Sequence, residues 1–385
     1  MDAVQVETDM VALEETGLHA TLPDGTPGYF NYYWLRDNCP ASFDPETRER
    51  TFDIFQCAAP PRPSAVRMEG ETLVVAWQGE PGESRYPLAM LAAYSGGAPR
   101  PDPADLPRRP WYGDHHPHLT RVSHPRLLDS AQERRRWMEA LLIEGVAIVT
   151  DMPDTDAGLT DTARLIGQIR PTFFGTYFDV RTHIEPTNLA YTSKALELHT
   201  DVPAEEHAPG IQFLHCRANS VAGGRNLMVD AVAVANDLRA ADPEAFRLLA
   251  DTAVPFYKEH DGIDMRARQH VIELDRHGEV SGVTISQHMA DLFDLPQRRL
   301  DAYYPAFVRF GRMLQDERYL MRFSLRAGEC ITFDNHRIVH GREAYAATSG
   351  ERYLRGTYTD RGELRGLDRA TGPGGRLRVR NGGRG

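Results

Sequence analysis

The chain has 385 residues, of which 41% are hydrophobic and 26% charged, a composition typical of a soluble globular protein with one large domain or two. Its formal net charge of −11 argues against nucleic acid or an anionic membrane surface as a partner. No apolar run approaches the roughly 18 residues of a membrane span, and the N-terminal sequence Met1-Asp2-Ala3 does not begin a signal peptide. The four cysteines are scattered and predict no disulfide framework. We therefore expect a cytoplasmic protein with reduced thiols.

The first 94 residues alternate short strand-like runs with turns and predict a small N-terminal β-rich domain over 1–94. The clearest strand candidates in it are the runs at 4–13, 52–55 and 72–77. Residues 95–112 then collect glycine and proline with little apolar content, which is typical of a linker.

A larger second domain is expected over 113–370, followed by a flexible tail at 371–385. Apolar residues at helical spacing predict helices near 130–144, 161–169 and 296–313, with a buried strand at 145–150. From 189 to 358 the pattern is mostly strands with glycine-marked turns, including a hairpin over 271–280. Strands around a pocket with helices outside them predict a mainly β protein, a double-stranded β-helix (jelly roll) with flanking helices.

The most informative pattern is His199-Thr200-Asp201, followed far downstream by His340. On an extended strand the side chains of residues i and i+2 project to the same face, so His199 and Asp201 can share one bound ion. Two imidazoles and one carboxylate on one face of a metal leave three positions open, which suits a non-haem iron(II) oxygenase. An H-x-D tripeptide is common by chance, and alone it fits an ordinary surface or core histidine better.

Further segments, in the same order along the chain, carry a resemblance to a known family. They are 33–40 (YWLRDNCP), 199–204 (HTDVPA), 209–216 (PGIQFLHC), 223–230 (GGRNLMVD), 333–342 (FDNHRIVHGR) and 352–358 (RYLRGTY). With these motifs the chain resembles the γ-butyrobetaine and trimethyllysine dioxygenases of the taurine-dioxygenase-like iron(II)/2-oxoglutarate enzymes. The resemblance implies the jelly-roll fold and iron(II) bound by His199, Asp201 and His340. It also implies 2-oxoglutarate and O2 as cosubstrates, stimulation by ascorbate, and hydroxylation of an aliphatic carbon with release of succinate and CO2.

The same resemblance assigns the residues that bind 2-oxoglutarate. Its far carboxylate needs a fixed cation, for which an arginine fork is well suited, and Arg352 lies in the matching segment. The family's second contact is a hydroxyl in a Gly-Gly-x-Ser/Thr motif, where this chain has Asn226. Leu214 matches a residue that lines the cosubstrate pocket, although a buried strand also favours leucine there.

The resemblance also implies a pocket that binds a cationic group of the substrate. A quaternary ammonium group has no N–H to donate, so its recognition relies on cation–π contacts with aromatic rings. The resemblance places four aromatic residues at the cage positions of the γ-butyrobetaine enzymes: Phe174, Phe178, Tyr191 and Tyr358. Any one of them fits equally well as core filling, but four together favour a cage for a trimethylammonium head.

The residues for the anionic end of the substrate depart from the family pattern. Asn188 matches a carboxylate-binding asparagine, but Val202 replaces a tyrosine, and Gln287 or His288 replaces a further asparagine. His336 stands where the family commonly has tryptophan, and both imidazoles fit equally well as packed core histidines. We therefore expect a small γ-butyrobetaine-like zwitterion with a different anionic tail, such as a phosphonate, or a different chain length.

Several expectations concern what else the protein contains or does. Eukaryotic relatives have a structural zinc site made by a cysteine cluster and a histidine; here Cys39 is kept but the other thiolates are not, so we expect no structural zinc. Relatives are often dimers, which makes a homodimer the candidate assembly. Three alternatives stay open: the same chemistry on an amino acid or sulfonate-like acid, a jelly-roll sensor that binds metal without turnover, and a zinc hydrolase with Glu197 as a weak candidate base.

Overall fold

The computed structural model describes residues 5–6, 9–97, 101–181, 192–260 and 262–372. The chain divides into two compact units, Met1–Pro101 and Asp102–Gly385. Within the stretch predicted as a linker, Ala104 and Trp111 are buried. The domain boundaries expected from the sequence remain a prediction.

The first unit contains two small sheets, with strand orders β1-β5-β6-β7 and β2-β3-β4. Its elements are β1 Gln5–Val6, β2 Val11–Leu13, β3 Gly17–Thr21, β4 Pro27–Asn31, α1 Tyr32–Asp37, β5 Pro63–Glu69, β6 Thr72–Trp77, β7 Glu83–Pro87 and α2 Leu88–Ser95. Leu18, Leu35 and Leu73 are fully buried in its core. The strand predicted at 52–55 is wrong: Ile54–Gln56 forms a 3-10 turn, because the Asp53 side chain accepts a hydrogen bond from the backbone N–H of Phe55.

The second unit holds most of the secondary structure. Its strands are β8 Arg121–Ser123, β9 Val146–Thr150, β10 Phe178–Val180, β11 Leu196–His199, β12 Ile211–Asn219, β13 Asn226–Asp230, β14 Ala253–His260, β15 Ile263–His270, β16 Ile272–Leu274, β17 Val280–Val283, β18 Met321–Phe323, β19 Cys330–Asp334, β20 Ile338–Arg342 and β21 Arg352–Thr359. Its helices are α3 His124–Asp129, α4 Ala131–Ile143, α5 Asp156–Arg164, α6 Ala231–Ala241, α7 Pro243–Asp251, α8 Gln297–Leu314 and α9 Arg361–Thr371.

Two sheets of the second unit face each other across a cavity. A six-stranded sheet has the order β10-β21-β12-β19-β9-β8, and a four-stranded antiparallel sheet has the order β11-β20-β13-β18. Side chains alternate along each strand, so on β12 Gln212 and Leu214 line the cavity while Ile211 and Phe213 pack into the core on the opposite face. The two inner faces therefore supply the walls of one pocket.

Helices cover the outer faces of these sheets. Trp137 of α4 and Leu159 of α5 pack with Phe213 in one core, while α6, α7 and α8 form a second core against the outer side of β13 and β20. Because helices contribute about as much of the chain as strands, the expectation of a mainly β protein is too narrow. None of the helices in the described part of the chain is both long and apolar enough to cross a membrane.

Several predicted elements are confirmed. The helices α4 and α8 and the strand β9 lie within a residue or so of the predicted bounds, and β16 and β17 form the expected hairpin. The helix expected at 161–169 instead spans Asp156–Arg164. It begins earlier because the Thr155 side chain caps it, accepting a hydrogen bond from the backbone N–H of Gly158.

Candidate active site

Strand pairing brings the predicted metal ligands together. His199 ends β11 and His340 lies in β20; the two residues are partners in the antiparallel ladder, and their ring centroids are 4.4 Å apart. The strand stops at His199, so Asp201 lies in the following turn and not on the extended strand expected from the spacing. The next residue, Val202, has φ = 59°, in the left-handed region that β-branched residues rarely adopt. This turn still directs the Asp201 carboxylate toward both imidazoles.

The three potential ligand atoms converge on one point. Asp201 Oδ1 lies 3.1 Å from His199 Nε2 and 3.7 Å from His340 Nε2. All three ligand atoms lie within 4.8 Å of one another. His199 Nδ1 lies 2.8 Å from the carbonyl oxygen of Glu197, and when it donates to that oxygen Nε2 keeps its lone pair for a metal.

The protonation states also suit a metal. Burial lowers the pKa of His340 to about 3. Burial acts to raise the pKa of Asp201, but the two imidazoles and the Tyr358 hydroxyl outweigh it, so this pKa lies below its usual range. A neutral imidazole and an ionised carboxylate are the forms that bind a divalent cation. The donor set therefore fits iron(II).

Asn335 and Thr200 hold the turn that carries Asp201. The backbone N–H of Asp201 donates to Asn335 Oδ1 at 2.7 Å, and Asn335 Nδ2 donates to the carbonyl oxygens of Asp201 and Pro209, each at 3.0 Å. The backbone N–H of Thr200 donates to the carbonyl oxygen of Ile285 at 2.7 Å, and the N–H of Ile285 donates to the Thr200 hydroxyl at 3.1 Å. Sequence reasoning did not assign Asn335 a role, because nothing local shows which backbone its amide meets.

Arg352 supplies a buried cation to the same cavity. Its residue surface is 6% exposed, and its Nε and Nη1 have no hydrogen-bond partner among the described residues. Its Nη2 donates to Asn226 Oδ1 at 3.3 Å, so Asn226 orients the guanidinium. Burial, together with the neighbouring Arg342, lowers the pKa of Arg352 to about 10, which leaves it charged at neutral pH. Two donors without partners on a buried arginine, in a cavity that the apolar Leu214 also lines, fit the carboxylate of a small diacid.

Three of the four predicted cage residues form one wall of the cavity. This aromatic wall consists of Phe174, Phe178 and Tyr358. The Phe178 and Tyr358 rings are stacked, with centroids 5.0 Å apart and planes at 22°, and the Phe174 centroid lies 6.3 Å from that of Phe178. Because the Phe178 and Tyr358 rings stack on each other, each covers one face of the other, and the two rings are not opposing sides of a cage around a cation. The fourth predicted residue, Tyr191, and the predicted anion-binding Asn188 lie outside the described residues.

Of the remaining residues considered for substrate binding, His288 lines the cavity, whereas Gln287 and His336 do not. His288 lines the cavity, with its ring edge-on to that of His199 at a centroid distance of 4.9 Å. Gln287, in the 3-10 turn Gln287–Met289, is exposed and does not line the cavity. His336 Nε2 lies 3.1 Å from the carbonyl oxygen of Ala208, which makes this imidazole part of the packing.

Gln212 is a cavity residue that sequence reasoning missed. It is 1% exposed, it is the ladder partner of Tyr358, and its Oε1 has no hydrogen-bond partner among the described residues. The available signal was an amide inside an otherwise apolar strand run, between Ile211 and Phe213. Such a residue needs a polar partner when buried, and the cavity contents can provide one.

Comparison with known proteins decides the family. Residues 108–358 match the family described as "Taurine catabolism dioxygenase TauD, TfdA family". The chain belongs to the TauD/TfdA family. It is 33% identical to γ-butyrobetaine dioxygenase of Pseudomonas sp. (strain AK-1), over 91% of this chain and 92% of that protein. It is 26% identical to the mitochondrial trimethyllysine dioxygenase of Rattus norvegicus, over 89% of this chain and 83% of that protein.

A solved structure shares the fold of this TauD/TfdA protein. The structure of AAD-2 in complex with Mn(II) and N-oxalylglycine superposes with a TM-score of 0.50 at 14% identity, covering 60% of this chain and 90% of that one. Family membership and the His199, Asp201 and His340 donor set make the protein an iron- and 2-oxoglutarate-dependent dioxygenase. The resemblance inferred from the motifs is thereby confirmed. Glu197, the base considered for a zinc hydrolase, is exposed and does not line the cavity.

Proposed function

We propose that this dioxygenase hydroxylates an aliphatic carbon of a small trimethylammonium zwitterion. The observation that carries the proposal is the aromatic wall of Phe174, Phe178 and Tyr358, which lines the same cavity as the metal ligands. A quaternary ammonium is bound by aromatic faces and needs no acceptor. The relatives named for γ-butyrobetaine and trimethyllysine support the same class of substrate.

The overall reaction balances without any further reductant. One atom of O2 enters a C–H bond of the substrate to give C–OH, and the other enters 2-oxoglutarate, which loses CO2 and becomes succinate. His199, Asp201 and His340 would hold the iron, which would supply the activation of O2. In this proposal the chain's own groups bind and orient: Arg352 holds the far carboxylate of 2-oxoglutarate, Leu214 packs beside it, and the aromatic wall places the cationic head of the substrate.

Head-group recognition is tested with a matched pair of substrates. Release of labelled CO2 from 2-oxoglutarate is measured with γ-butyrobetaine and with its carbon isostere, in which carbon replaces the quaternary nitrogen, so that the head is uncharged and the carboxylate is kept. Cation–π attraction should favour the charged compound by about 0.5–2 kcal/mol, or about 2- to 30-fold in kcat/KM. Equal kcat/KM values would refute recognition by aromatic rings. Stronger turnover of an amino acid or a sulfonate would favour the alternative substrates.

The anionic tail is proposed to differ from the carboxylate of γ-butyrobetaine. Val202, which takes the place of a family tyrosine, is 1% exposed and presents only methyl groups to the cavity, while the His288 imidazole lines it. Burial lowers the pKa of His288 to about 4, so at neutral pH its imidazole is uncharged and can donate one N–H to an oxygen of a phosphonate. The same assay with matched carboxylate and phosphonate tails tests this, and the proposal fails if γ-butyrobetaine is the best substrate of the panel.

Other expectations complete the proposal. We propose that ascorbate stimulates turnover, that the protein is cytoplasmic, and that it forms a homodimer. A Glu197→Gln variant gives a control against hydrolase chemistry, since Glu197 is exposed and is not among the residues that line the cavity. It should retain wild-type CO2 release, whereas a hydrolase that used Glu197 as its base would lose activity.

A further inference from the structure

Tyr358 makes a contact that a residue of an aromatic cage does not need. Its hydroxyl donates a hydrogen bond to Asp201 Oδ2 at 2.7 Å. The other carboxylate oxygen, Oδ1, is the one that lies 3.1 Å and 3.7 Å from the two imidazole Nε2 atoms. The two oxygens of Asp201 are therefore in different environments, one facing the imidazoles and the other held by a phenol.

The Tyr358 ring is fixed, so the hydroxyl cannot easily follow a moving carboxylate. Tyr358 is 1% exposed and lies in β21, paired with Gln212 of the neighbouring strand β12. Phe178 stacks on its ring at 5.0 Å. On the other side of the contact, Asn335 holds the backbone of Asp201 through both its N–H and its carbonyl. The carboxylate is thus oriented from its backbone and from its Oδ2 atom.

We propose that Tyr358 is a positioning residue that holds Asp201 so that only Oδ1 is presented to the metal. With two imidazoles, a carboxylate that binds through one oxygen leaves three of six positions for 2-oxoglutarate and O2, whereas binding through both oxygens would leave two. The same side chain lies in the aromatic wall, so the cationic head of the substrate and the metal carboxylate meet at one residue. This inference rests on the metal site of the proposed function and not on the identity of the substrate.

Tyr358→Phe tests the inference, since it removes the hydroxyl and keeps the ring. The matched control is Tyr319→Phe, because Tyr319 is also buried and donates to a carboxylate, that of Asp237, at 2.9 Å. The probe is Co(II) alone, titrated into metal-free full-length protein by calorimetry and followed by visible absorption. Partners that orient metal ligands usually contribute 10- to 100-fold in affinity. Tyr358→Phe should therefore bind Co(II) about 10- to 100-fold more weakly with an altered spectrum, and Tyr319→Phe should stay within about twofold of wild type.

A substrate titration separates the hydroxyl from the ring. With the metal site saturated, Tyr358→Phe should bind γ-butyrobetaine within about threefold of wild type, because phenylalanine keeps the π face. Unchanged Co(II) affinity and spectrum in Tyr358→Phe would overturn the inference while leaving the proposed function standing. Equal losses of Co(II) affinity in Tyr358→Phe and Tyr319→Phe would also overturn the inference, because they would indicate a general loss of stability. If Asp201→Ala itself bound Co(II) as wild type does, the metal site would be wrong, and the proposed function would fall with it.

Discussion

Gly356→Ala is the substitution that most directly tests how the proposed substrate pocket is built. Gly356 lies in β21, opposite Phe178 of β10 and Leu214 of β12. A Cβ at this position would lie 2.2 Å from Cζ of Phe178 and 2.6–2.7 Å from two further ring atoms. The absent side chain therefore makes the space in which the Phe178 ring lies across the strand, an arrangement in which an aromatic residue covers a strand glycine.

The magnitude follows from this overlap. To move from 2.2 Å to the 3.4 Å of ordinary contact, the ring must shift by about 1.2 Å. Overpacking of this kind costs about 1–3 kcal/mol, and here it also separates Phe178 from the Tyr358 ring on which it stacks. If about 1–2 kcal/mol of this appears as lost cation binding, the KM for the proposed trimethylammonium substrate rises about 5- to 30-fold. The KM for the diacid cosubstrate should change little, because the Arg352 guanidinium is not displaced.

The assay is CO2 release, with each of the two substrates varied in turn, and thermal unfolding of every variant as a check on folding. Gly366→Ala is the matched control, since a Cβ there meets no atom within 4 Å outside its own turn of helix α9. A double variant completes the cycle: once Phe178→Ala has removed the ring, Gly356→Ala should have little further effect on the substrate KM.

Two results would refute this reasoning. The first is an additive double variant, in which Gly356→Ala raises the substrate KM as much without the Phe178 ring as with it. The second is an equal rise in the KM for the diacid cosubstrate and in that for the trimethylammonium substrate, which would indicate a general distortion of the sheet.

Three further substitutions test other parts of the second unit. Arg352→Lys replaces a bidentate guanidinium by a single ammonium group, and losing one charge-assisted hydrogen bond should raise the KM for the diacid cosubstrate about 10- to 100-fold. CO2 release measures this KM, and a change below about twofold would show that Arg352 does not bind the cosubstrate. Asn335→Ala frees the backbone of Asp201 and should weaken Co(II) binding at least about tenfold in calorimetry, which unchanged affinity would contradict. The buried carboxylate of Asp230 is paired with Arg337 at 2.8 Å, and Arg337→Met removes its cation. This substitution should lower the free energy of unfolding, measured in urea, by about 3–5 kcal/mol. A loss below about 1 kcal/mol would show that the ion pair is dispensable for stability.

The sequence predicts those parts of the fold whose signal is local. α4 and α8 have apolar residues at helical spacing, and β16 and β17 are joined by a glycine-marked turn, so these elements are found close to their predicted places. The turn at Ile54–Gln56 was mistaken for a strand because the apolar pattern does not show the hydrogen bond from Phe55 to the Asp53 side chain. Local polar contacts of this kind compete with strand formation.

In the candidate site, too, the sequence predicts the residues that carry a local signal and does not predict the long-range contacts that hold them. The three proposed metal ligands can be predicted because iron chemistry requires those residue types and the surrounding motifs place them. What holds them is not identifiable, since Asn335 is 134 positions from the backbone of Asp201 that it binds. Gln212 was missed for a related reason: only the pairing of β12 with β21 shows that its amide lies beside Tyr358 in the cavity.

The turn after His199 affects both the proposed metal site and the proposed substrate pocket, because it carries Asp201 and places Val202 at the cavity. Val202 is held at φ = 59°, and a β-branched residue in that conformation is strained by about 1–3 kcal/mol. Hydrogen bonds from Asn335 and Thr200 fix the turn on both sides of Asp201 and offset this strain. The turn thus orients the carboxylate of Asp201, the proposed metal ligand, and the side chain of its buried valine offers an anion no donor. In the described part of the cavity, the donors for an anionic tail must come from other residues. His288, beside His199, is one imidazole placed to provide such a donor.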